Sequence, residues 1–266
     1  MSEEIVCLEH VVKHYGSHQV LKDVDLSINK GDIFGLVGKN GAGKTTMFKT
    51  ILGLSDYKGK ITINGKTGPQ SRSNVGFFIG KNFFDYMTAE QNLNYYCTLK
   101  GVKDKGEIQR VLKLVGLDGV TSKYKDYSLG MTQRLGIANA LLGHPEILIL
   151  DEPVNGLDPQ GIADVRNLMK KLNEEEGMTI IISSHILGEL EHTAVRFGIV
   201  NEGVMAAEIT EEDLQKRSKS VNITVNAEDA TKAQQLLQDN GVSVTAVTDE
   251  ATTLEDYYFN LVGEQE

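Results

Sequence analysis

Gly38-Lys39-Asn40-Gly41-Ala42-Gly43-Lys44-Thr45 is the stretch on which the reading of this chain turns. It matches the pattern GxxxxGK[ST], and its flanks suit that pattern. Before it, Asp32–Gly38 (DIFGLVG) is a short apolar run ending in glycine, which predicts a buried strand. After it, Met47, Ile51 and Leu54 fall at helical spacing and predict a helix over Thr45–Leu54. A glycine loop between strand and helix lets backbone N–H groups wrap a phosphate at a helix N-terminus. In that geometry Lys44 reaches the β- and γ-phosphates, and the Thr45 hydroxyl is a ligand for Mg²⁺. The dinucleotide pattern GxGxxG is absent, and a GKT ending is foreign to it.

Downstream, Ile147-Leu148-Ile149-Leu150 predicts a second buried strand, with Asp151-Glu152-Pro153 emerging at its C-terminal end. Open α/β sheets place their ligands at that end. Asp151 is placed to hold Mg²⁺ through water, and Glu152 to orient, or take a proton from, an attacking water. Thr179–Ser183 is a third Ile-rich run, and strands of this kind alternating with helices predict a parallel α/β sheet. The first 30 residues alternate as strands with turns at Gly16 and Lys30-Gly31. Residues 88–115 and 130–143 read as helical, punctuated by Gly101 and Gly116. The charged run Asp213–Lys219 marks a change of composition. Beyond it come a strand at 221–225, a helix over Ala230–Asp239, a strand at 242–247 and a short helix at 254–262. That tail is too short for a secure core of its own and is expected to dock on the main domain.

The chain has 266 residues, enough for a large core without disulfides or a structural metal. Its 27 basic and 37 acidic side chains give a net charge of −10. That balance argues against non-specific nucleic-acid binding, although one local electropositive pocket still suffices for a nucleotide. Cys7 and Cys97 stand far apart, as suits a reducing cytoplasm. MSEEIVCLEH lacks the basic start and apolar core of a signal peptide. The longest apolar stretch, Leu135–Gly143, is far short of a membrane span. His10, His14 and His18 are four apart, but on a strand or turn that spacing is too wide for one metal ion.

Between the two motifs, Tyr127-Ser128-Leu129-Gly130-Met131-Thr132-Gln133-Arg134 leads into an apolar helix, with Ser128 standing 23 residues before Asp151. By itself it is a serine-capped helix start. In this position it resembles the LSGGQ signature of ATP-binding cassette ATPases, in a YSLGM form. Gly156-Leu157-Asp158 is similar to that family's D-loop, His185 to its switch histidine, and Tyr15 in KHYGSHQVL to the aromatic residue that stacks on adenine. The resemblance covers about residues 5–217. The YSLGM form and the LEDYYFNLVGE ending resemble the branch of bacitracin-resistance and lantibiotic-immunity exporters.

The resemblance implies a P-loop NTPase fold: a RecA-like α/β core with an antiparallel β subdomain, over residues 1–217. It further implies an α-helical subdomain at about 86–144 and leaves a small α/β extension at 218–266. It implies ATP and Mg²⁺, with Thr45 and Asp151 on the metal and Glu152, His185 and Lys44 in catalysis. Tyr15, Gly38, Lys39, Asn40, Gly41, Ala42, Gly43, Lys44, Thr45 and Thr46 would contact one nucleotide. Ser128, Gly130 and Asp158 would face the nucleotide of a second copy, in a head-to-tail homodimer. It implies a separate integral membrane permease as partner, and a place on the inner face of the cell membrane. One position departs from the pattern: where the family carries Gln, or Glu in the exporter branch, Val75-Gly76-Phe77-Phe78-Ile79 runs into Gly80. Asn82 and Gln91 are the nearby side chains that could substitute. Phe77, Phe78, Phe83 and Phe84 offer apolar surface beside the groove expected to meet the permease. The other function consistent with these residues is a soluble regulatory ATPase of the same class.

Overall fold

In the computed structural model, the described residues are 3–80, 82–104, 106–191, 193–213, 225–242 and 244. Two sheets share the first compact unit, Met1–Asp213; the second unit is Leu214–Glu266. The three-stranded antiparallel sheet has β1 (Glu4–Tyr15) between β2 (His18–Asn29) and β4 (Lys58–Ile63). The six-stranded sheet contains β3 (Ile33–Val37), β5 (Val75–Phe78), β6 (Ile147–Asp151), β7 (Thr179–Ser184), β8 (Arg196–Asn201) and β9 (Val204–Thr210). Its order is β5-β6-β7-β3-β8-β9, parallel except for the antiparallel β8–β9 pair.

The central strands are buried on both faces, which explains their unbroken apolar runs. Leu148 and Leu150 of β6, with Ile180 and Ile182 of β7, face one core; Ile147, Ile149 and Ile181 face the other. This is the two-residue period of a strand serving two cores at once. The second core lies between the two sheets and α1 (Lys44–Ile51), where Phe34, Met47 and Phe48 meet Val6, Leu26 and Ile28. The first core is closed by α2 (Ala89–Lys100), α3 (Glu107–Leu114), α4 (Leu129–Ala140) and α5 (Pro159–Glu176).

The expected helical stretch 88–115 is two helices. Gly101, at φ 69°, ends α2 in the left-handed conformation that glycine adopts most readily. The start of α2 is a full capping box: Thr88 accepts from Gln91 N, and Gln91 Oε1 accepts from Thr88 N. Glu107, with its side chain only 1% exposed, fastens α3 to the end of α4. It accepts two hydrogen bonds from Arg110, at 2.8 Å each, and one from Gly143 N at 2.7 Å. Phe78 is buried against Gly136, where a β-carbon would stand 2.3 Å from the ring. Phe77 is partly exposed, and Phe83 packs on Tyr96 and Tyr124.

A short helix α6 (Leu187–Glu191) follows β7, and α7 (Ala230–Asp239) forms where the sequence predicted it. The strands read at 221–225 and 242–247 lie mostly, and the helix at 254–262 wholly, outside the described residues. On the hairpin, His10 pairs with Asp23 at 2.9 Å on the exposed face. Among the described residues, no helix is long and apolar enough to cross a membrane.

Candidate active site

The loop between β3 and α1 owes its shape to glycine. A β-carbon on Gly38 would come within 2.4 Å of Val200 O, and Gly43 caps α1 at φ 115°, where no side chain supplies the cap. The first turn of α1 therefore turns its backbone donors toward the loop, as anion sites at helix N-termini do. Lys44, 5% exposed, folds back over the loop and donates to Gly38 O at 2.6 Å and Lys39 O at 3.4 Å.

Parallel pairing of β6 and β7 sets Asp151 directly opposite Ser183. Ser183 Oγ donates to Asp151 Oδ1 at 2.7 Å and accepts from Glu152 N at 2.9 Å. Thr45 Oγ1 donates to the other Asp151 oxygen at 2.6 Å. Glu152 turns at φ 51°, a conformation costly for a side chain with a β-carbon and found where function demands it. The turn brings Glu152 Oε1 within 3.1 Å of Lys44 Nζ and Oε2 within 2.7 Å of His185 Nδ1. Thr45, Lys44, Asp151, Glu152 and His185, read from three separate stretches of sequence, thus form one connected network.

The expected residues do not all gather there. Ser128 caps α4, accepting from Met131 N at 3.2 Å, and Asp158 caps α5, accepting from Gly161 N at 2.9 Å. Together with Gly130, Gly156 and Arg134 they line a separate cleft of about 350 Å³. Tyr15 stands at the end of β1, half exposed. Ser55, against an opposing desolvation, draws its phenol below the usual pKa, helped by Thr46 and the cations of Lys13 and Lys49.

Gly80 lies at φ 73° with open space where a β-carbon would be. Gln91, one candidate to replace the missing side chain, is committed to the cap of α2. Asn82 is exposed, and its carbonyl accepts from the Tyr96 hydroxyl. Two residues escaped the sequence reading. Ser183 carried one signal, a hydroxyl at the end of an otherwise apolar strand. Asn92 carried none; it is fully buried and holds Phe84 N at 2.8 Å and Phe84 O at 3.2 Å, fixing the segment after Gly80.

Nucleotide binding and ATP hydrolysis belong to the proteins this chain matches. A family model described as "ABC transporter" matches residues 21–155. The bacitracin transport ATP-binding protein BcrA of Enterococcus faecalis is 35% identical, over 98% of this chain and 97% of that protein. The lantibiotic transport ATP-binding protein SrtF of Streptococcus pyogenes is 40% identical, over 76% of this chain and 89% of its own. Among solved structures, an ATP-binding subunit of an ABC transporter superposes with a TM-score of 0.71 at 29% identity, covering 80% and 92% of the two chains. A dimeric bacterial ABC transporter cassette gives a TM-score of 0.69 at 26% identity, covering 78% and 99%. The chain belongs to the ABC transporter family, as one of its ATP-binding, ATP-hydrolysing P-loop subunits.

Proposed function

We propose that this subunit hydrolyses ATP to ADP and phosphate at the Lys44–Glu152–His185 network and thereby powers export through a separate membrane permease. The observation that carries the reading is that one carboxylate, Glu152, contacts both the loop lysine and the switch histidine. An arriving triphosphate competes with Glu152 for Lys44, because both are anions drawn to the same ammonium. Released from Lys44, Glu152 keeps its contact with His185 and can accept a proton from a water aligned on the γ-phosphate. His185 then orients Glu152 and senses the phosphate. Backbone N–H groups from Gly41 to Thr46 hold the phosphates, and Tyr15 takes the base.

The Thr45 hydroxyl and Asp151 carboxylate stand side by side, a hard oxygen pair that suits Mg²⁺, which takes few protein ligands and keeps several waters. Thr45 would bind it directly and Asp151 through water; the ion supplies charge neutralisation on the phosphates. Ser128, Gly130 and Asp158 lie apart from this network, so we assign them to the nucleotide of a second copy in a head-to-tail dimer. The residues divide at about 217 into nucleotide-binding domain and small extension, with the helical subdomain at about 86–144. Relatives named for bacitracin and lantibiotic transport and linearmycin resistance support a peptide antibiotic or similar compound as cargo. A permease partner places the subunit on the inner face of the cell membrane.

The bare Gly80 position is a feature that would suit a regulatory module with little turnover. Relatives named for transport and resistance support the transport reading over it. Phosphate release by the wild type and by Glu152→Gln separates the two. The transport reading expects steady turnover that falls by about 10²-fold or more in the variant. Equal, negligible rates for both, with the permease present, favour the regulatory module.

A further inference from the structure

Tyr15 has a neighbour that this reading leaves unused. Lys13 lies two residues earlier on β1 with its side chain only 4% exposed, and its Nζ stands 4.6 Å from the centroid of the Tyr15 ring. A buried ammonium is unfavourable unless paired. The pair is Asp56, whose Oδ1 is 2.5 Å from Lys13 Nζ. Asp56 itself is almost wholly exposed, so it anchors the cation while remaining hydrated. A cation thus stands over one face of the Tyr15 ring. The ring is about half exposed, at the end of β1.

We propose that Lys13, anchored by Asp56, is a positioning residue for nucleobase recognition: it holds the Tyr15 ring and reserves the opposite face for a purine. The inference rests on the nucleotide reading of the site. An ammonium over one face draws the ring's electron density toward itself. The face turned away becomes less negative and is a better stacking partner for an electron-rich purine. Lys13 touches no part of the nucleotide in this arrangement, so it acts through Tyr15.

The test is calorimetric titration of the full chain with ATP and, separately, with inorganic tripolyphosphate, which has no base. Lys13→Met keeps the volume of the stem and removes the charge; Lys13→Arg keeps the charge and its affinity for aromatic rings. We expect Lys13→Met to weaken ATP about five-fold and to leave tripolyphosphate unchanged, with Lys13→Arg restoring ATP. In a Tyr15→Ala background, Lys13→Met should cost nothing further. Asp56→Asn, an exposed change, should weaken ATP in the same direction by a smaller factor. ATP affinity equal to wild type in Lys13→Met overturns the proposal. So does an equal loss for both ligands, which marks a merely structural role. A wild type that binds neither ligand overturns the nucleotide reading itself, and this inference with it.

Discussion

Lys44 Nζ and Glu152 Oε1 stand 3.1 Å apart, joining the glycine loop to the end of β6. Both side chains are largely buried, at 5% and 20% exposure, so the pair is screened far less than a surface ion pair. The contact ties phosphate binding to water activation, since whatever draws Lys44 away changes what Glu152 can do.

Lys44→Ala should therefore lower ATP affinity and hydrolysis together, by about 10²-fold or more. The fold should survive, because α1 still packs through Met47, Phe48 and Ile51. Equilibrium binding and circular dichroism on the same sample check both points. Unchanged affinity in a folded variant contradicts the assignment.

Ser183→Ala removes the hydroxyl that serves Asp151 and Glu152 N at once. Leaving the Glu152 N–H without that acceptor costs about 1–3 kcal/mol and loosens a backbone turn already at positive φ. The expected result is a kcat about ten-fold lower, in line with modest misplacement of a catalytic group. ATP affinity should stay close to wild type. Steady-state rates against MgATP concentration decide it, and an unchanged kcat removes Ser183 from the account.

Gly80→Gln restores a side chain where this chain has none. The β-carbon meets open space, but φ 73° imposes a left-handed penalty of about 1–2 kcal/mol. Gly80→Ala carries that penalty without the amide and serves as the control. A basal ATPase rate that rises in Gly80→Gln and not in Gly80→Ala supports a missing contact. Equal rates in all three chains show that another group, Asn82 being the nearest, already fills the role.

Glu107→Ala should destabilise the fold by about 1–3 kcal/mol, because Gly143 N loses its acceptor and Arg110 keeps only Leu141 O. Burial pushes the Glu107 carboxyl upward, but Arg110, Gly143 N and His144 outweigh it and hold the pKa below the usual carboxylate value. A depressed acid contributes its full stability above the unfolded pKa and loses it as pH falls through the folded one. Urea midpoints of the wild type should therefore drop more steeply with acid than those of Glu107→Gln once the pH falls below the ordinary glutamate value of 4.5. Parallel curves would show that Glu107 is not the group responsible.

The sequence made the core of the site legible because each part combined a strand end with an unusual residue set. GKT after DIFGLVG, and DEP after ILIL, located two of the three stretches that the structure brings together. The double-faced burial of β3, β6 and β7 is likewise written in their unbroken apolar runs. What stayed illegible depends on distant partners. Nothing local in Asn92 marks it as a clamp on Phe84, since a buried asparagine and a solvated one look alike in sequence. Gln91 looked available until the capping box claimed its amide. The break at Gly101 was readable as punctuation, yet the separate axes of α2 and α3 come from packing around Glu107 and the core beneath them.

Sedimentation velocity of Glu152→Gln with saturating MgATP tests the central claim most directly. If Glu152 drives hydrolysis and Ser128 completes the site of a facing copy, the variant sediments as a dimer, and adding Ser128→Arg returns it to a monomer. A monomeric Glu152→Gln with ATP demonstrably bound would contradict the account.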